Sequence, residues 1–174
     1  MPCDTIQEAV VNLNKNTNIE TLRDALKRLD LKVGRVGLDV LTFSGAFPGK
    51  GCVQGTYRNG KLTFPNSKDK WAVKLIKEAY SEVVVEQEAA RMRWTLKKEG
   101  KAKYTATKPY SKDKIQIEVL ADGTIKTTTD KISAANHASA EMFLLNMARA
   151  AGGLVTRIRR TISSLVQRPQ AIKE

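Results

Sequence analysis

Hydrophobic residues recur at helical spacing near the start of the chain, in "TNIETLRDALKRLDL". Thr17 and Glu20 have the spacing of a capping box, in which each residue satisfies a free backbone N–H of the first turn. The preceding "TIQEAVVNL" predicts a shorter helix, so the first 31 residues are predicted to be helical. The apolar positions that share one face are Ile19, Leu22, Leu26 and Leu29.

The pattern changes between residues 32 and 65, where β-branched residues and glycines replace the helical spacing. "KVGRVGLDVLTF" predicts a strand, and "VQGTYRNGKLTF" predicts a hairpin with alternating residues around Asn59-Gly60. That dipeptide suits the positive φ angles of a type I′ turn. "SGAFPGKGC", between the two patterns, predicts a loop.

The strongest helical pattern begins after Pro65, which ends the preceding strand, and Asn66 or Ser67 can cap the helix. We predict that this helix continues to Gly100, because glycine is common just past a helix C-terminus. Its polar flank carries lysines and glutamates, some at i,i+4 spacing. Its apolar stripe consists of Trp71, Leu75, Ala79, Val83, Ala90 and Trp94.

Alternation with a period of two returns after Gly100. "KAKYTATKPY" leads into "KIQIEV", where every second residue is Ile or Val, which predicts one buried and one wet face. Asp122-Gly123 predicts a hairpin turn before "GTIKTTT". "SAANHASAEMFLLNMARAAGG" then predicts a last helix, capped by Ser133 and ended by Gly152-Gly153.

This order of elements predicts an α+β fold, in which antiparallel β-hairpins form one sheet against a long central helix and a C-terminal helix. We expect a single domain over residues 1–153, followed by a basic amphipathic tail over residues 154–174. No internal repeat is visible in the sequence. The expected core consists of Leu22, Leu26, Leu29, Leu75, Val83, Ile117, Val119, Phe143 and Leu144.

Positive charge is the strongest feature of the composition. The chain has 30 Lys and Arg residues against 18 Asp and Glu residues, a net charge of +12, which attracts polyanions at low salt. Residues 91–114, "RMRWTLKKEGKAKYTATKPYSKDK", hold 9 basic and 2 acidic residues, and the tail adds an arginine cluster. The candidate nucleic-acid-binding residues are Arg91, Arg93, Lys97, Lys98, Lys101, Lys103, Tyr104, Lys108, Tyr110, Arg157, Arg159, Arg160 and Arg168.

Three aromatic residues lie within residues 91–114. Trp94 belongs to the apolar stripe and is expected in the core, whereas Tyr104 and Tyr110 are expected to be exposed, where a base could stack on them. On a strand, Lys101 and Lys103 share one face while Tyr104 takes the other. We therefore expect phosphate attraction to contribute more than base stacking.

The loop "GAFPGKG" differs from a phosphate-binding P-loop. Gly45 and Gly49 are one residue too close, and Gly51 stands where a Ser or Thr hydroxyl should hold magnesium. Lys50 can still contact phosphate. The pattern therefore does not predict nucleotide hydrolysis.

Side chains for enzymatic or metal chemistry are also sparse. His137 is the only histidine, so a catalytic triad has no candidate base beside it. Glu82, Glu86 and Glu88 could bind a divalent metal or act as an acid–base pair, but salt bridges to the surrounding lysines are the favoured interpretation. We expect no enzyme activity, no bound metal and no cofactor.

Cysteine use and hydropathy suggest a location. Cys3 and Cys52 lack C-x-x-C spacing and a companion histidine cluster, which argues against a zinc site and a disulfide framework. Reduced thiols fit a cytosolic protein, and a single disulfide between the two is the alternative. "MPCDTIQEAV" has an acidic residue and no apolar core, so we do not expect it to act as a signal peptide. No stretch reaches the roughly 18 apolar residues that cross a bilayer. We expect a cytoplasmic protein without a membrane partner.

The C-terminal part of the chain resembles two families. Trp71, Tyr80, the "KKEG" that ends at Gly100 and "ADGTIK" resemble the small uncharacterised reading-frame family shared by chloroplasts and cyanobacteria. "KIQIEVLADGTIKTTTDKISAANHASAEMFL" is similar to a family of very short uncharacterised bacterial proteins, with a "DGT" hairpin and one helix. The resemblance covers about the last 100 residues. It implies an α+β fold without a recognised active site, and it supplies no catalytic residues.

Together these features predict a non-enzymatic, basic accessory protein that binds RNA or DNA through phosphate contacts, without strong sequence specificity. The alternative is an adaptor or structural subunit of a larger protein assembly, docked through its basic tail. The two hypotheses differ in the salt dependence of oligonucleotide binding, which is steep only for the first.

Overall fold

The computed structural model describes residues 8–13, 17–47, 49–129 and 132–151. Within these residues, two antiparallel sheets and three α-helices form an α+β fold with a long central helix and a C-terminal helix, which confirms the predicted class. The elements in chain order are β1 (Ala9–Asn12), α1 (Ile19–Arg28), β2 (Lys32–Val36), β3 (Val40–Phe47), β4 (Gly51–Arg58), β5 (Lys61–Phe64), a 3-10 helix (Ser67–Trp71), α2 (Ala72–Arg91), β6 (Thr95–Gly100), β7 (Lys103–Thr107), β8 (Lys114–Val119), β9 (Ile125–Thr129) and α3 (Ala134–Ala151).

The strands form two sheets rather than the single sheet that we expected. The first sheet has the order β1-β5-β4-β3-β2, and the second has the order β6-β7-β8-β9. Apart from the pair β1–β5, strands pair only with strands next to them in the chain, so α2 separates the two sets of hairpins. Four consecutive antiparallel strands followed by a helix therefore occur twice, as β2–β5 with α2 and as β6–β9 with α3. The sequence showed no such repeat, because the repeat lies in the order of elements.

The central helix α2 is buried on more than one side. Val83, Val84 and Val85 are consecutive and all buried, which an amphipathic surface helix does not allow. The helix contacts α1, α3, β6 and β8. Of the expected core residues, Leu29 and Leu75 are only partly buried, and the buried ones are Leu22, Leu26, Val83, Ile117, Val119, Phe143 and Leu144.

The prediction of a helix at the start of the described chain is wrong. "AVVN" forms β1, which pairs with β5 from Ala9 opposite Phe64 to Asn12 opposite Lys61. A free sheet edge thus overrides the local helical pattern. The cap of α1 is also one residue later than predicted, since the side chain of Asn18 accepts from the backbone N–H groups of Glu20 and Thr21.

The long helix ends at Arg91, not at Gly100 as predicted. Arg93 has a φ of 61°, and the Trp94 N–H donates to the Ala89 carbonyl at 2.9 Å, which closes the helix. The next residues form β6, because they pair with β7. At the other end, the side chain of Asn66 caps the 3-10 helix that precedes α2, as predicted.

The hairpin turns follow their sequence signals. Asn59 and Gly60 have φ angles of 49° and 77°, as the predicted type I′ turn requires. Gly123 has a φ of 87° in the turn between β8 and β9. The predicted loop "SGAFPGKGC" is mostly strand, since β3 continues to Phe47 and β4 begins at Gly51. "KVGRVGLDVLTF" forms two strands, β2 and β3, rather than one.

Candidate nucleic-acid interface

The second sheet has one buried and one open face. Ile115, Ile117 and Val119 of β8 are buried against the helices, and the residues between them point to the opposite side. We call this opposite side the second-sheet face. Its side chains are Thr95 and Lys97 of β6, Lys103, Thr105 and Thr107 of β7, Lys114, Gln116 and Glu118 of β8, and Lys126 and Thr128 of β9.

The strand register orders these side chains into rows. One row crosses all four strands and reads Lys97, Thr105, Gln116, Thr128. In a neighbouring row, Glu118 lies between Lys103 and Lys126. The face therefore presents hydroxyl and amide groups at its centre, with four lysines and Glu118 around them. A shallow depression of about 270 Å³ lies over it, lined by Glu99, Lys103, Tyr104, Thr105, Gln116, Ile117, Glu118, Lys126 and Thr128.

The structure divides the predicted basic stretch between two sides of this sheet. Lys97 and Lys103 lie on the second-sheet face, whereas Lys98 and Tyr104 point to the other side. Lys101 lies in the turn between β6 and β7, so it does not share a strand face with Lys103 as predicted. The stretch as a whole is therefore not one continuous surface.

Tyr104 is not the exposed stacking residue that we expected. It is 3% exposed, and its hydroxyl donates to Oε1 of Glu82 at 2.6 Å. Burial, and secondarily the Glu82 carboxylate, raise the pKa of Tyr104 well above its ordinary value, so the phenol stays protonated. Lys98 lies 5.8 Å above the Tyr104 ring and 3.8 Å from Glu82, so it completes this contact between α2 and the sheet.

Tyr110, by contrast, is fully exposed, with a φ of 63° in the turn between β7 and β8. Lys108, at the start of the same turn, donates to the Met92 carbonyl at 3.0 Å and lies 5.7 Å from the ring centroid of Trp94. Trp94 is buried, as predicted, and donates to Ser139 at 3.1 Å. Lys108 therefore anchors the turn, and Tyr110 is the aromatic ring that the turn presents to solvent.

The remaining candidates lie away from the face or outside the described residues. Arg91 is exposed at the end of α2 and pairs with Glu88 at 2.9 Å. Arg93 is exposed in the link to β6. The tail candidates Arg157, Arg159, Arg160 and Arg168 lie outside the described residues.

Glu82, Glu86 and Glu88 of α2 form ion pairs, but only Glu82 pairs with a lysine as the favoured interpretation predicted, and the other two pair with arginines. Glu86 makes a two-pronged pair with Arg28 of α1, with one N–O distance of 2.8 Å. Glu82 contacts Tyr104 and Lys98, and Glu88 contacts Arg91. No group of three potential metal ligands occurs in the described part of the chain.

The glycine-rich "GAFPGKG" segment joins two strands of one hairpin, β3 and β4. A P-loop leads from a strand into a helix, and here a strand follows instead. Lys50 lies 5.9 Å from the ring centroid of Trp71. The geometry agrees with the sequence-based exclusion of this motif.

Eight of the ten residues on the second-sheet face were not among the sequence-based candidates, and they include Lys114, Gln116, Lys126 and Thr128. The alternation of polar and apolar residues in β8 and β9 could have identified Lys114, Gln116, Lys126 and Thr128, because each is next to a buried residue in the sequence. Local charge density drew attention to residues 91–114, whereas the strand register decides which lysines lie together.

Comparison with family models, curated proteins and solved structures found no match. None of the helices in the described ranges is long and apolar enough to cross a membrane. Any function of the site therefore has to follow from its own residues.

Proposed function

We propose that the protein binds single-stranded nucleic acid through the second-sheet face, by phosphate contacts without strong sequence specificity. The observation that carries this proposal is the register that places Lys97, Lys103, Lys114 and Lys126 on one open face around a centre of hydroxyl and amide groups. Lysine attracts phosphate regardless of base sequence. Thr and Gln side chains can donate and accept hydrogen bonds at a base or sugar.

The width of the sheet favours a single strand over a duplex. Neighbouring strands are about 4.8 Å apart, so four strands span about 14 Å between their outer axes. The major groove of B-DNA is about 12 Å wide and admits a helix or a two-stranded ribbon. A four-stranded face is too wide to enter it, whereas an unpaired strand can lie across the face.

The proposal includes a cytoplasmic location and no catalytic step. Cys52 is an exposed free thiol, which suits a reducing compartment. The carboxylates of Glu82, Glu86 and Glu88 make ion pairs that join α2 to its neighbours or to itself, and we assign them a structural role. The adaptor hypothesis is the alternative, and the binding experiment below separates the two.

Replacing Lys97, Lys103 and Lys114 by Gln is expected to weaken binding of a labelled single-stranded 20-mer. Each lost phosphate contact lowers the log–log salt slope by about 0.7, so the slope falls by about 2 and affinity near 0.1 M salt by about 5-fold per lysine. Fluorescence anisotropy between about 0.05 and 0.3 M salt measures both quantities.

The matched control replaces Lys27, Lys68 and Lys74 by Gln. These residues are exposed on α1, the 3-10 helix and α2, so net charge falls equally while the open face stays intact. Equal losses in the two variants would show general charge attraction rather than a defined face. Absence of binding by the wild type at about 0.05 M salt would favour the adaptor hypothesis.

The tail is expected to add phosphate contacts of its own. Replacing Arg157, Arg159 and Arg160 by Ala should reduce the salt slope by about 2 on single strands. The unfolding free energy of this variant is measured alongside, so that a loss of binding is not mistaken for a loss of folding. An unchanged slope would remove the tail from the proposed binding surface and leave the second-sheet face alone.

A further inference from the structure

The first sheet also has an open face, which the sequence did not mark as a candidate. Leu41, Phe43, Val53 and Tyr57 are buried on one side, and the residues that alternate with them point away. We call this opposite side the first-sheet face. None of the five described strands of this sheet contains an acidic residue.

The register of the first sheet repeats a row of the second. Lys32 of β2 lies opposite Ser44 of β3, which lies opposite Gln54 of β4. The corresponding row of the second sheet is Lys97 of β6, Thr105 of β7 and Gln116 of β8. Both rows occupy the first three strands of a four-stranded unit, and both read lysine, hydroxyl, glutamine. The same hydrogen-bonding and charge pattern is thus displayed twice.

The first-sheet face also has room for a ligand and further positive charge. A shallow depression of about 500 Å³ lies over it, lined by Lys32, Gly34, Thr42, Ser44, Gln54 and Thr56 among others. A Cβ atom at Gly34 would come within 2.8 Å of the Thr42 hydroxyl oxygen, so the missing side chain keeps this depression open. Arg58 and Lys61 lie opposite each other beyond it.

We infer that the first-sheet face is a second binding surface for single-stranded nucleic acid, so that one chain holds two segments of a strand. This inference rests on the proposed function of the second-sheet face. Charge complementarity favours a polyanion, because Lys32, Arg58 and Lys61 outnumber the one carboxylate that contacts the row, that of Asp69, which accepts from the Gln54 backbone N–H at 3.2 Å. The repeated lysine–hydroxyl–glutamine row favours the ligand already proposed for the other sheet.

The test counts oligonucleotides bound per chain. Oligothymidylate of about 8 nucleotides is a length suited to one face, since OB-fold domains cover about 4–16 nucleotides each. Isothermal titration should give two such oligonucleotides per wild-type chain. The first-sheet triple variant, Lys32→Gln, Arg58→Gln and Lys61→Gln together, should bind one oligonucleotide per chain. The second-sheet triple variant, with Lys97, Lys103 and Lys114 replaced by Gln, should also bind one.

Gly34→Val should weaken binding at the first-sheet face without changing the salt slope, because it fills the depression and leaves the charge unaltered.

Cys52 supplies a readout that needs no substitution on the face. It is exposed and lies on the same side of β4 as Gln54, so a bound strand should slow its alkylation by iodoacetamide. A Cys3→Ser variant restricts the reaction to Cys52. Saturating oligothymidylate should lower the rate several-fold in the wild type and leave it unchanged in the first-sheet triple variant.

The outcomes separate the two hypotheses. The inference is overturned if the wild-type chain binds one oligonucleotide, Cys52 is not protected and the first-sheet variant binds as the wild type does. That result leaves the second-sheet proposal intact. No binding of oligothymidylate overturns both. The inference is supported if the wild-type chain binds two oligonucleotides and protects Cys52, and if the first-sheet variant binds one and leaves Cys52 unprotected.

Discussion

Replacing Gly55 by Val is expected to lower the free energy of unfolding by about 3 kcal/mol or more, which is at the upper end for overpacking a core. Gly55 is buried in β4 on the inner face of the first sheet. A Cβ atom there would lie 2.4 Å from the Phe43 ring, and Phe43 is itself only 2% exposed. The ring packs edge-on against Phe64, with centroids 6.0 Å apart, so it has little room to move.

Gly34→Val is the matched control for this prediction. It is the same substitution in the same sheet, but on the open face, where the nearest atom is the hydroxyl of Thr42 rather than a core ring. Thr42 is exposed and its side chain can rotate, so we expect a change within about 0.5 kcal/mol. Urea unfolding of both variants measures the difference. Equal destabilisation by the two variants would contradict the prediction, because it would show that the Phe43 ring can move away from a side chain at position 55.

Replacing Asp113 by Ala is expected to destabilise the protein by about 2–4 kcal/mol near neutral pH, since hydrogen bonds to a charged group contribute more than neutral ones. Asp113 precedes β8 and is 7% exposed. Its carboxylate accepts from the Ser133 backbone N–H at 2.9 Å and from the Ser133 hydroxyl and the Asn136 amide at 2.6 Å each. One side chain thus joins the β7–β8 turn to the start of α3. Ser133, expected as the helix cap, donates its hydroxyl to this carboxylate.

The pH dependence follows from the same contacts. Burial raises the pKa of Asp113, but the hydrogen bonds from Ser133 and Asn136 outweigh it, so the net pKa is below its usual value of 3.8. A lowered pKa in the folded state contributes stability above the unfolded pKa, and that stability is lost as pH falls through the folded pKa. The difference in unfolding free energy between the wild type and Asp113→Ala should therefore become smaller below about pH 4.

Urea unfolding at several values between pH 7 and about pH 3 tests this. Asp24→Ala is the control, since Asp24 is exposed on α1, and we expect it to change stability by less than about 0.5 kcal/mol. If the difference in unfolding free energy between the wild type and Asp113→Ala stays constant over this range, the three hydrogen bonds do not depend on the ionised carboxylate.

Local signals predicted the parts of the fold that local chemistry determines. Asn59-Gly60 and Asp122-Gly123 form the expected turns, and the alternation of Ile115, Ile117 and Val119 identified the buried side of β8. The segment "AVVN" became a strand because β5 offers it a partner that only the folded chain supplies. No sequence window contains that information.

The candidate site was only partly predictable for a related reason. Charge density located Lys97 and Lys103, but the register with β8 and β9 places Lys114 and Lys126 on the same face. Tyr104 was expected to be exposed, yet its position on β7 directs it toward Glu82. The first-sheet face has no dense basic segment in the sequence, because Lys32, Arg58 and Lys61 come from three separate strands.

The burial of α2 on several sides has a consequence for how the chain folds. Val83, Val84 and Val85 are all buried, and α2 contacts α1, which precedes it, as well as β6, β8 and α3, which follow it. A chain that stopped after α2, or began with it, would expose part of this helix to water. We therefore expect the two strand-and-helix units to fold and unfold together in one cooperative transition, although each has the strand order of a complete sheet.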